Sequence, residues 1–296
     1  MYSASLAKLY RHMDIGLFIA IALTFIFAMN YSPGHIGGFG LTLPFNLATW
    51  IGLSVILLIG ILKVVILNRL FVSKIFFAYL ICVAILLLPV LFNLKLAEHM
   101  GLMISAMLAS LILLLLVSQN KSASFKRKVL AIIYVSCLVQ TAYGLVQYYF
   151  IYQVGPFFTA ADVGQPNGVF AQKNVFSTYI AVGSMLALYF LFTAKHKSKT
   201  LIVLTFIFIA LNAHLTMLAE AKTGRVVPII AIAIYLAYCS HRHKTKSLCA
   251  ALLLCCIAAS FMPKSWFDVR PEQTADAPVG IQSFGIRPIL YEIGVV

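Results

Sequence analysis

The sequence predicts an all-α, polytopic integral membrane protein of about nine transmembrane helices, and its composition excludes a water-soluble fold. Of the 296 residues, 62% are hydrophobic and only 10% are charged, and the mean hydropathy is +0.99. Because soluble domains carry roughly 25% charged residues, this chain has too little polar surface to coat a fold in water. Backbone groups in lipid must hydrogen-bond internally, so the long apolar runs are interpreted as helices.

Nine apolar runs approach or reach the roughly 20 residues that one crossing of a bilayer requires. The first run is interpreted as a retained helix rather than a signal peptide, because no small-x-small cleavage site follows it. The predicted spans are 15–29, 47–67, 71–92, 99–117, 129–150, 174–193, 201–219, 225–239 and 248–262.

Lysine and arginine alternate between the two sides that these spans create. The amino terminus and the connections after the second, fourth, sixth and eighth spans hold 15 of the 22 cations, and the other segments hold 7. Cytoplasmic loops are enriched in these residues, which predicts a cytoplasmic amino terminus. Of the acidic residues only Asp14 falls inside, so the net charge of +14 is an orientation signal. Nucleic acid is therefore not expected as a partner.

Turn-rich segments divide the chain into three predicted parts. Residues 1–150 hold five spans, and 151–262 form a core of four spans with the outer motif loops. Glycine, proline and asparagine crowd 164–168, so this outer segment cannot be a span. Residues 263–296 are expected to begin a periplasmic loop that is truncated, since the sequence stops on an apolar stretch.

Polar groups in or beside spans are costly and are therefore functional candidates, although many only bond across helices. Gln140 and Gln147 lie seven residues apart on one face of the fifth span, and Gln147 is at its outer end. One interpretation is interhelical bonding beside an interfacial belt formed by Tyr148 and Tyr149; the other is a ligand contact at Gln147.

An outer loop enters the sixth span at Gln172, Lys173 and Asn174. Asn174 suits an N-cap, because its side chain can accept a hydrogen bond from a backbone N–H of the first turn. Three polar groups at a helix amino terminus, whose dipole favours anions, also suit a phosphate or glycan contact. Both interpretations stay open from the residues alone.

Two arginines on the outer side are candidates for binding an anion. Arg225 opens the eighth span, where its charge opposes the helix dipole. It forms either a structural ion pair with Glu220 or a site in which Glu220 aims it at phosphate oxygens, which guanidinium matches bidentately. Arg287 alone would be a snorkelling cation. Three outer segments can thus bring candidate groups to one outward-facing cavity.

The cysteines and histidines predict neither a disulfide framework nor a metal site. All six cysteines fall in or beside apolar runs, and no pair of the seven histidines has metal-ligand spacing in a suitable helix. No metal is assigned.

In their order and common outer side, these motifs resemble the superfamily of O-antigen ligases, O-antigen polymerases and bacterial O-oligosaccharyltransferases. The resemblance covers roughly the second half of the chain. The Gln-x-Asn form at 172–174 is most similar to the protein-glycosylating branch, the pilin glycosylation ligases. The motifs are GLVQ at 144–147, GVFAQKNVFSTY at 168–179, KTGR at 222–225 and RPILY at 287–291.

The resemblance implies a multi-pass enzyme of the bacterial inner membrane that moves a preassembled glycan from undecaprenyl pyrophosphate to an acceptor on the periplasmic face. The acceptor is a Ser or Thr hydroxyl of a protein such as pilin, a lipid A core sugar or a growing glycan. By resemblance, Arg225 and Arg287 are catalytic: they bind the pyrophosphate and stabilise its leaving charge without a metal or other cofactor. The residues expected to contact the substrates are Gln147, Gln172, Lys173, Asn174 and Glu220.

Two departures from the family pattern bear on activity. Relatives carry a hydroxyl residue directly before the arginine matched to Arg225, whereas this chain has Gly224 there and Thr223 one place earlier. Relatives also continue into a large periplasmic loop with an essential histidine, and this sequence stops at Val296. We expect a partial ligase that keeps donor-site residues and lacks that histidine.

Other functions fit the sequence less well. An O-antigen polymerase or a lipid A-core ligase shares the motifs and differs in its product. A transporter or flippase typically has broken helices with ionisable residues near mid-membrane. The main polar candidates within spans are Gln140, Asn212 and His214, of which only the last is ionisable. This pattern favours the glycan ligase over transport.

Overall fold

The computed structural model describes residues 2–31, 44–68, 70–92, 94–120, 122–150, 166–170, 173–194, 198–221, 224, 226, 229–230, 232–233 and 250. Every regular element within these ranges is helical. The elements are α1 (Tyr2–Ala22), which continues into a π-helical turn (Leu23–Phe27) and a 3-10 turn (Ala28–Asn30), α2 (Pro44–Leu67), α3 (Lys74–Phe92), α4 (Leu94–Ser118), α5 (Ala123–Tyr149), α6 (Lys173–Thr193) and α7 (Lys199–Leu218).

The helices confirm the predicted all-α class, with several candidate crossings of a bilayer. In the part of the chain that the structure describes, five helices are long and apolar enough to span: Lys8–Asn30, Asn46–Ile66, Ala123–Tyr149, Lys173–Thr193 and Lys199–Leu218. Shorter apolar helices cover Lys74–Leu88 and Met107–Ser118. The predicted eighth span is described at isolated helical positions only, and of the ninth only residue 250 is described.

The described residues form two compact units, whose boundary falls inside α5 between Ser136 and Cys137. In the first unit, the Tyr10 hydroxyl donates to the Ile66 carbonyl at 3.4 Å. The Gln119 amide exchanges two hydrogen bonds with the Phe71 backbone, at 2.7 and 2.8 Å. The first turns of α1, the α2–α3 connection and the end of α4 therefore lie together, as antiparallel packing of consecutive helices requires.

A charged pair joins α1 to α2 in the first unit. Lys63 is only 6% exposed, and its ammonium contacts the Asp14 carboxylate. Asn120 donates to the same carboxylate oxygen at 3.2 Å. A lysine taken out of water needs an opposite charge and hydrogen bonds to offset its desolvation. Asp14 supplies the charge and Asn120 completes the hydrogen bonding.

The π-helical turn at the end of α1 leaves backbone carbonyls without their usual helical donors. The Asn30 side-chain amide donates to the carbonyls of Phe25 and Ile26 at 2.8 and 2.9 Å and lies 3.0 Å from the Ser136 hydroxyl. Ser136 itself donates to the Phe25 carbonyl. Two polar side chains thus satisfy the widened turn and attach α5 to it.

Asn212 joins α5, α6 and α7 in the second unit. Its side-chain amide donates to the Ile180 carbonyl at 3.0 Å and to the Ser184 hydroxyl at 2.9 Å. Its side-chain oxygen accepts from the Thr141 hydroxyl at 2.7 Å. Hydrogen bonds of this kind hold transmembrane helices together where lipid provides no hydrophobic driving force. The hydrogen bonds of Asn212 therefore hold α5, α6 and α7 together, and the candidate functional site described next lies at the ends of these helices.

The Asp14–Lys63 pair predicts that a double substitution destabilises the protein less than the single substitution of Asp14 does. Asp14→Leu leaves the Lys63 charge buried without its counter-charge and should lower the free energy of unfolding by about 3 kcal/mol. Adding Lys63→Met removes the unpaired buried charge, so the double variant should recover most of the lost free energy of unfolding. Thermal unfolding in detergent measures both; equal destabilisation by the double and the single variant would contradict the role given to the pair.

Candidate functional site

Gln147 near the carboxyl end of α5 holds the loop 166–170 against the second unit. Its side-chain oxygen accepts from the backbone N–H groups of Asn167 at 3.2 Å and Gly168 at 2.8 Å. Its side-chain nitrogen donates to the Asn167 side-chain oxygen at 3.2 Å and to the Gly168 carbonyl at 2.8 Å. An amide has two donor hydrogens and two acceptor lone pairs. All four positions are therefore used within the chain.

The loop contact changes the role that the sequence suggested for the two glutamines. Gln147 is 3% exposed and Gln140 is fully buried, and the oxygen of Gln140 accepts from the Val169 N–H at 3.2 Å. With its hydrogen-bonding capacity used by the loop, Gln147 positions the loop instead of presenting a free group to a ligand. Both side chains hydrogen-bond to the loop 166–170.

Two glycines allow the loop to lie this close. Gly168 has φ +62°, a left-handed conformation that glycine adopts without steric cost, and a Cβ there would stand 2.4 Å from the Gln140 oxygen. A Cβ at Gly144 would stand 2.5 Å from the ring of Phe176. The fully buried Phe176 ring therefore fits between α5 and the loop only because both positions lack side chains.

The start of α6 meets the end of α7 through Lys173 and Glu220. The Lys173 ammonium lies 3.9 Å from the Glu220 carboxylate, and both side chains are more than a third exposed. Glu220 has φ 56°, a conformation that costs a non-glycine residue roughly 1 kcal/mol. Such an exposed ion pair contributes at most about 1 kcal/mol. The ion pair nevertheless joins two segments that lie far apart in sequence.

Gly224 packs against α6 more closely than any other residue type allows. A Cβ at Gly224 would stand 2.4 Å from the Ser177 Cβ and 3.1 Å from the Ser177 carbonyl carbon. The Ser177 hydroxyl is fully buried and has no hydrogen-bond partner. Any side chain at position 224 would collide with α6 here, which gives the glycine a steric reason.

Tyr149 and His214 pair across α5 and α7. The Tyr149 hydroxyl lies 2.6 Å from His214 Nε2, and the two rings are within 15° of parallel. Tyr148 packs edge-on against Tyr149, with ring centroids 4.9 Å apart, and is itself part of the buried core. The Tyr149–His214 pair lies at one end of the second unit, which we call the loop end. The loop end consists of the carboxyl ends of α5 and α7, the start of α6 and the loop 166–170.

Several of the residues predicted to form the site lie at the loop end. Gln147, Lys173 and Glu220 come together there, through the contacts described above. Asn174 is exposed, but α6 begins at Lys173, so Asn174 is in the first turn and is not the predicted N-cap. Glu220 contacts Lys173; its predicted pairing with Arg225 involves a residue outside the described ranges and stays a prediction. Gln172, Arg225 and Arg287 lie outside the described residues.

Sequence reasoning missed two features of the loop end. Ser177 was noticed only as part of a motif, and only the packing of Gly224 against it reveals its unpaired hydroxyl. His214 was considered as a mid-span polar residue and Tyr149 as part of an aromatic belt. Their separation of 65 positions leaves no local pattern that would pair them.

Comparison with known proteins gives no assignment. The chain matches no family model, no curated protein and no solved structure. Within the described ranges, no three His, Cys, Asp or Glu side chains are grouped so that they could hold a metal ion. Among the described residues, the loop end offers an ammonium at Lys173, a carboxylate at Glu220, the Tyr149–His214 pair and the amino terminus of α6.

The hydrogen bonds from Gln147 to the loop predict that the amides of Asn167 and Gly168 are protected from hydrogen exchange. Gln147→Leu leaves the N–H groups of Asn167 and Gly168 without an acceptor, at about 2 kcal/mol, so hydrogen exchange at these amides should accelerate roughly 30-fold. Gln119→Leu is the matched control, because Gln119 holds the backbone of Phe71 in the same way in the first unit. Unchanged exchange at 167–168 in Gln147→Leu would show that the loop does not depend on this side chain.

Proposed function

We propose that the chain is a membrane glycan ligase that transfers a preassembled oligosaccharide from undecaprenyl pyrophosphate to a Ser or Thr hydroxyl of a pilin-type protein. The reaction takes place on the periplasmic face of a bacterial inner membrane. Alternative products within the same superfamily are a glycosylated lipid A core and a polymerised O-antigen.

The observation that carries this proposal is the meeting of three motifs at the loop end. Gln147 belongs to the first motif of the resemblance and bonds to Gly168, the first residue of the second motif. Lys173 of the second motif lies beside Glu220, two positions before the third. Gly224 of the third motif packs on Ser177 of the second. Residues separated by up to 77 positions therefore share one end of a helical unit, as a site for a lipid-linked substrate requires.

The charges at this end suit a pyrophosphate donor. Lys173 stands at the amino terminus of α6, where the helix dipole favours an anion. Arg225 follows Gly224 in sequence, and a guanidinium there would add bidentate contacts to phosphate oxygens. In our proposal Arg225 and Arg287 stabilise the charge that develops on the leaving pyrophosphate, an electrostatic role that needs no metal. Donor and acceptor bound together gain the proximity that a bimolecular reaction lacks.

The orientation follows from the cation count. Cytoplasmic segments collect Lys and Arg, and the amino terminus together with the alternating connections holds 15 of the 22. We therefore place the amino terminus and the α6–α7 connection in the cytoplasm, and the loop 151–172 in the periplasm, where lipid-linked glycans are transferred.

Reporter fusions test this orientation. A green fluorescent protein fused after Thr193 should fluoresce, because it would remain in the cytoplasm, whereas alkaline phosphatase fused after Phe150 should be active in the periplasm. Exchanging the two reporters at the same positions supplies the control. Active phosphatase after Thr193 and none after Phe150 would reverse the orientation and remove the loop end from the periplasm.

Substitution of the arginines tests the function. In cells that supply a lipid-linked glycan and a pilin acceptor, Arg225→Ala or Arg287→Ala should lower pilin glycosylation at least about 100-fold, because each removes a group that stabilises the leaving charge. Arg127→Ala, at an exposed position of α5 on the predicted cytoplasmic side, should have little effect. Mass spectrometry of the pilin gives the modified fraction.

The products of the same experiment separate the candidate functions. Addition of one glycan block to pilin supports the protein ligase, a ladder of glycan lengths supports a polymerase, and modification of lipid A core supports an O-antigen ligase. Unchanged pilin glycosylation in both arginine variants, at normal protein levels, would overturn the proposal.

A further inference from the structure

We propose that Tyr149 and His214 together accept the proton of the acceptor hydroxyl during glycan transfer, an inference that rests on the proposed function. A hydroxyl is a weak nucleophile and needs a base within hydrogen-bond reach as it attacks. In the described part of the loop end, the Tyr149–His214 pair offers a proton-accepting arrangement, in addition to the Glu220 carboxylate that lies beside Lys173.

The geometry of the pair suits proton relay. The Tyr149 hydroxyl and His214 Nε2 are 2.6 Å apart, which is hydrogen-bond distance, and the rings are almost parallel. With Nε2 as the acceptor, the phenol donates its proton to the imidazole. Tyr148 packs on the Tyr149 ring and fixes its direction. A base oriented by a neighbouring group is the usual arrangement around an activated nucleophile.

The position and exposure of the pair distinguish it from the polar contacts that only hold helices together. Thr141, Ser184 and Asn212 are at most 3% exposed and bond to one another deep in the unit. Tyr149 and His214 are both partly exposed. Tyr149 is the last residue of α5, and His214 precedes the end of α7 by four residues, about 6 Å along the axis. A substrate at the loop end can reach them.

The proposed step balances without any further reactant. The acceptor oxygen forms a bond to the anomeric carbon of the glycan, and the bond from that carbon to the pyrophosphate oxygen breaks. Its electron pair leaves on the pyrophosphate. The acceptor proton passes to the Tyr149 oxygen as the phenol proton passes to His214 Nε2, and the imidazolium returns its proton to water or to the departing pyrophosphate.

The test compares an acceptor that needs a base with one that does not. The full chain in nanodiscs is given an undecaprenyl-pyrophosphate-linked oligosaccharide and either a Ser peptide or the same peptide with Cys in place of Ser. At pH 8.5 about half of a free thiol is thiolate. Tyr149→Phe and His214→Gln should lower transfer to the Ser peptide about 100-fold and transfer to the Cys peptide less than about 5-fold. Binding of the donor lipid should not change.

Thr141→Val is the matched control, since it removes another α5–α7 hydrogen bond, the one to Asn212 at 2.7 Å, without touching the loop end. Its transfer to the Ser peptide should stay within a few-fold of the parent chain. Tyr189→Phe, at an exposed position of α6, controls for loss of a phenol hydroxyl. Thermal unfolding of every variant reports whether the helices still pack.

The outcomes separate this inference from the proposed function. Selective loss with the Ser peptide supports proton acceptance by the pair. Equal loss with both peptides, an equal loss in Thr141→Val, or full activity in both pair variants would overturn it while leaving a glycan ligase in place. If the parent chain binds no donor lipid and modifies neither peptide, the proposed function falls, and this inference falls with it.

Discussion

A polar group buried in this protein has to find its partner within the chain, because lipid offers none and an unpaired group is costly in an apolar environment. Amide side chains meet this requirement in both units. Asn30 satisfies the carbonyls of a π-helical turn, Asn212 joins three helices, and Gln147 saturates the backbone of a loop. In the second unit, these contacts hold α6, α7 and the described loop segment 166–170 against α5.

The fold class and most helix positions could be predicted from the sequence, because hydropathy reports directly what lipid demands of a chain. The described helices coincide with most of the first seven predicted spans, and α1, α4 and α5 begin earlier than predicted because polar and charged residues occupy their first turns. Hydropathy falls at those residues although the backbone is already helical. Hydropathy therefore does not mark such ends, and the structure places Asn174 in the first turn of α6 and not at its N-cap.

The candidate site was less predictable, because its geometry depends on contacts between residues far apart in sequence. The structure places Gln147, Lys173 and Glu220, which the motifs singled out, at the loop end of the second unit. The motifs did not reveal that Gln147 uses all four of its hydrogen-bonding positions to bind the loop, or that Tyr149 lies within hydrogen-bond distance of His214. Spacing along a chain reports which face of a helix a residue occupies, but it says nothing about which neighbouring helix that face meets.

The contact between Gly224 and Ser177 holds two helical segments together by close packing. The two residues share the space of a single side chain, since any Cβ at one position would occupy the volume of the other. A side chain at 224 therefore needs more than a glycine at 177, because its Cβ would still stand 3.0 Å from Thr216 Cγ2 and 3.1 Å from the backbone carbonyl carbon of residue 177. Substitutions at 177, 216 and 224 should consequently be coupled, and side chains at both 177 and 224 would hold these segments farther apart.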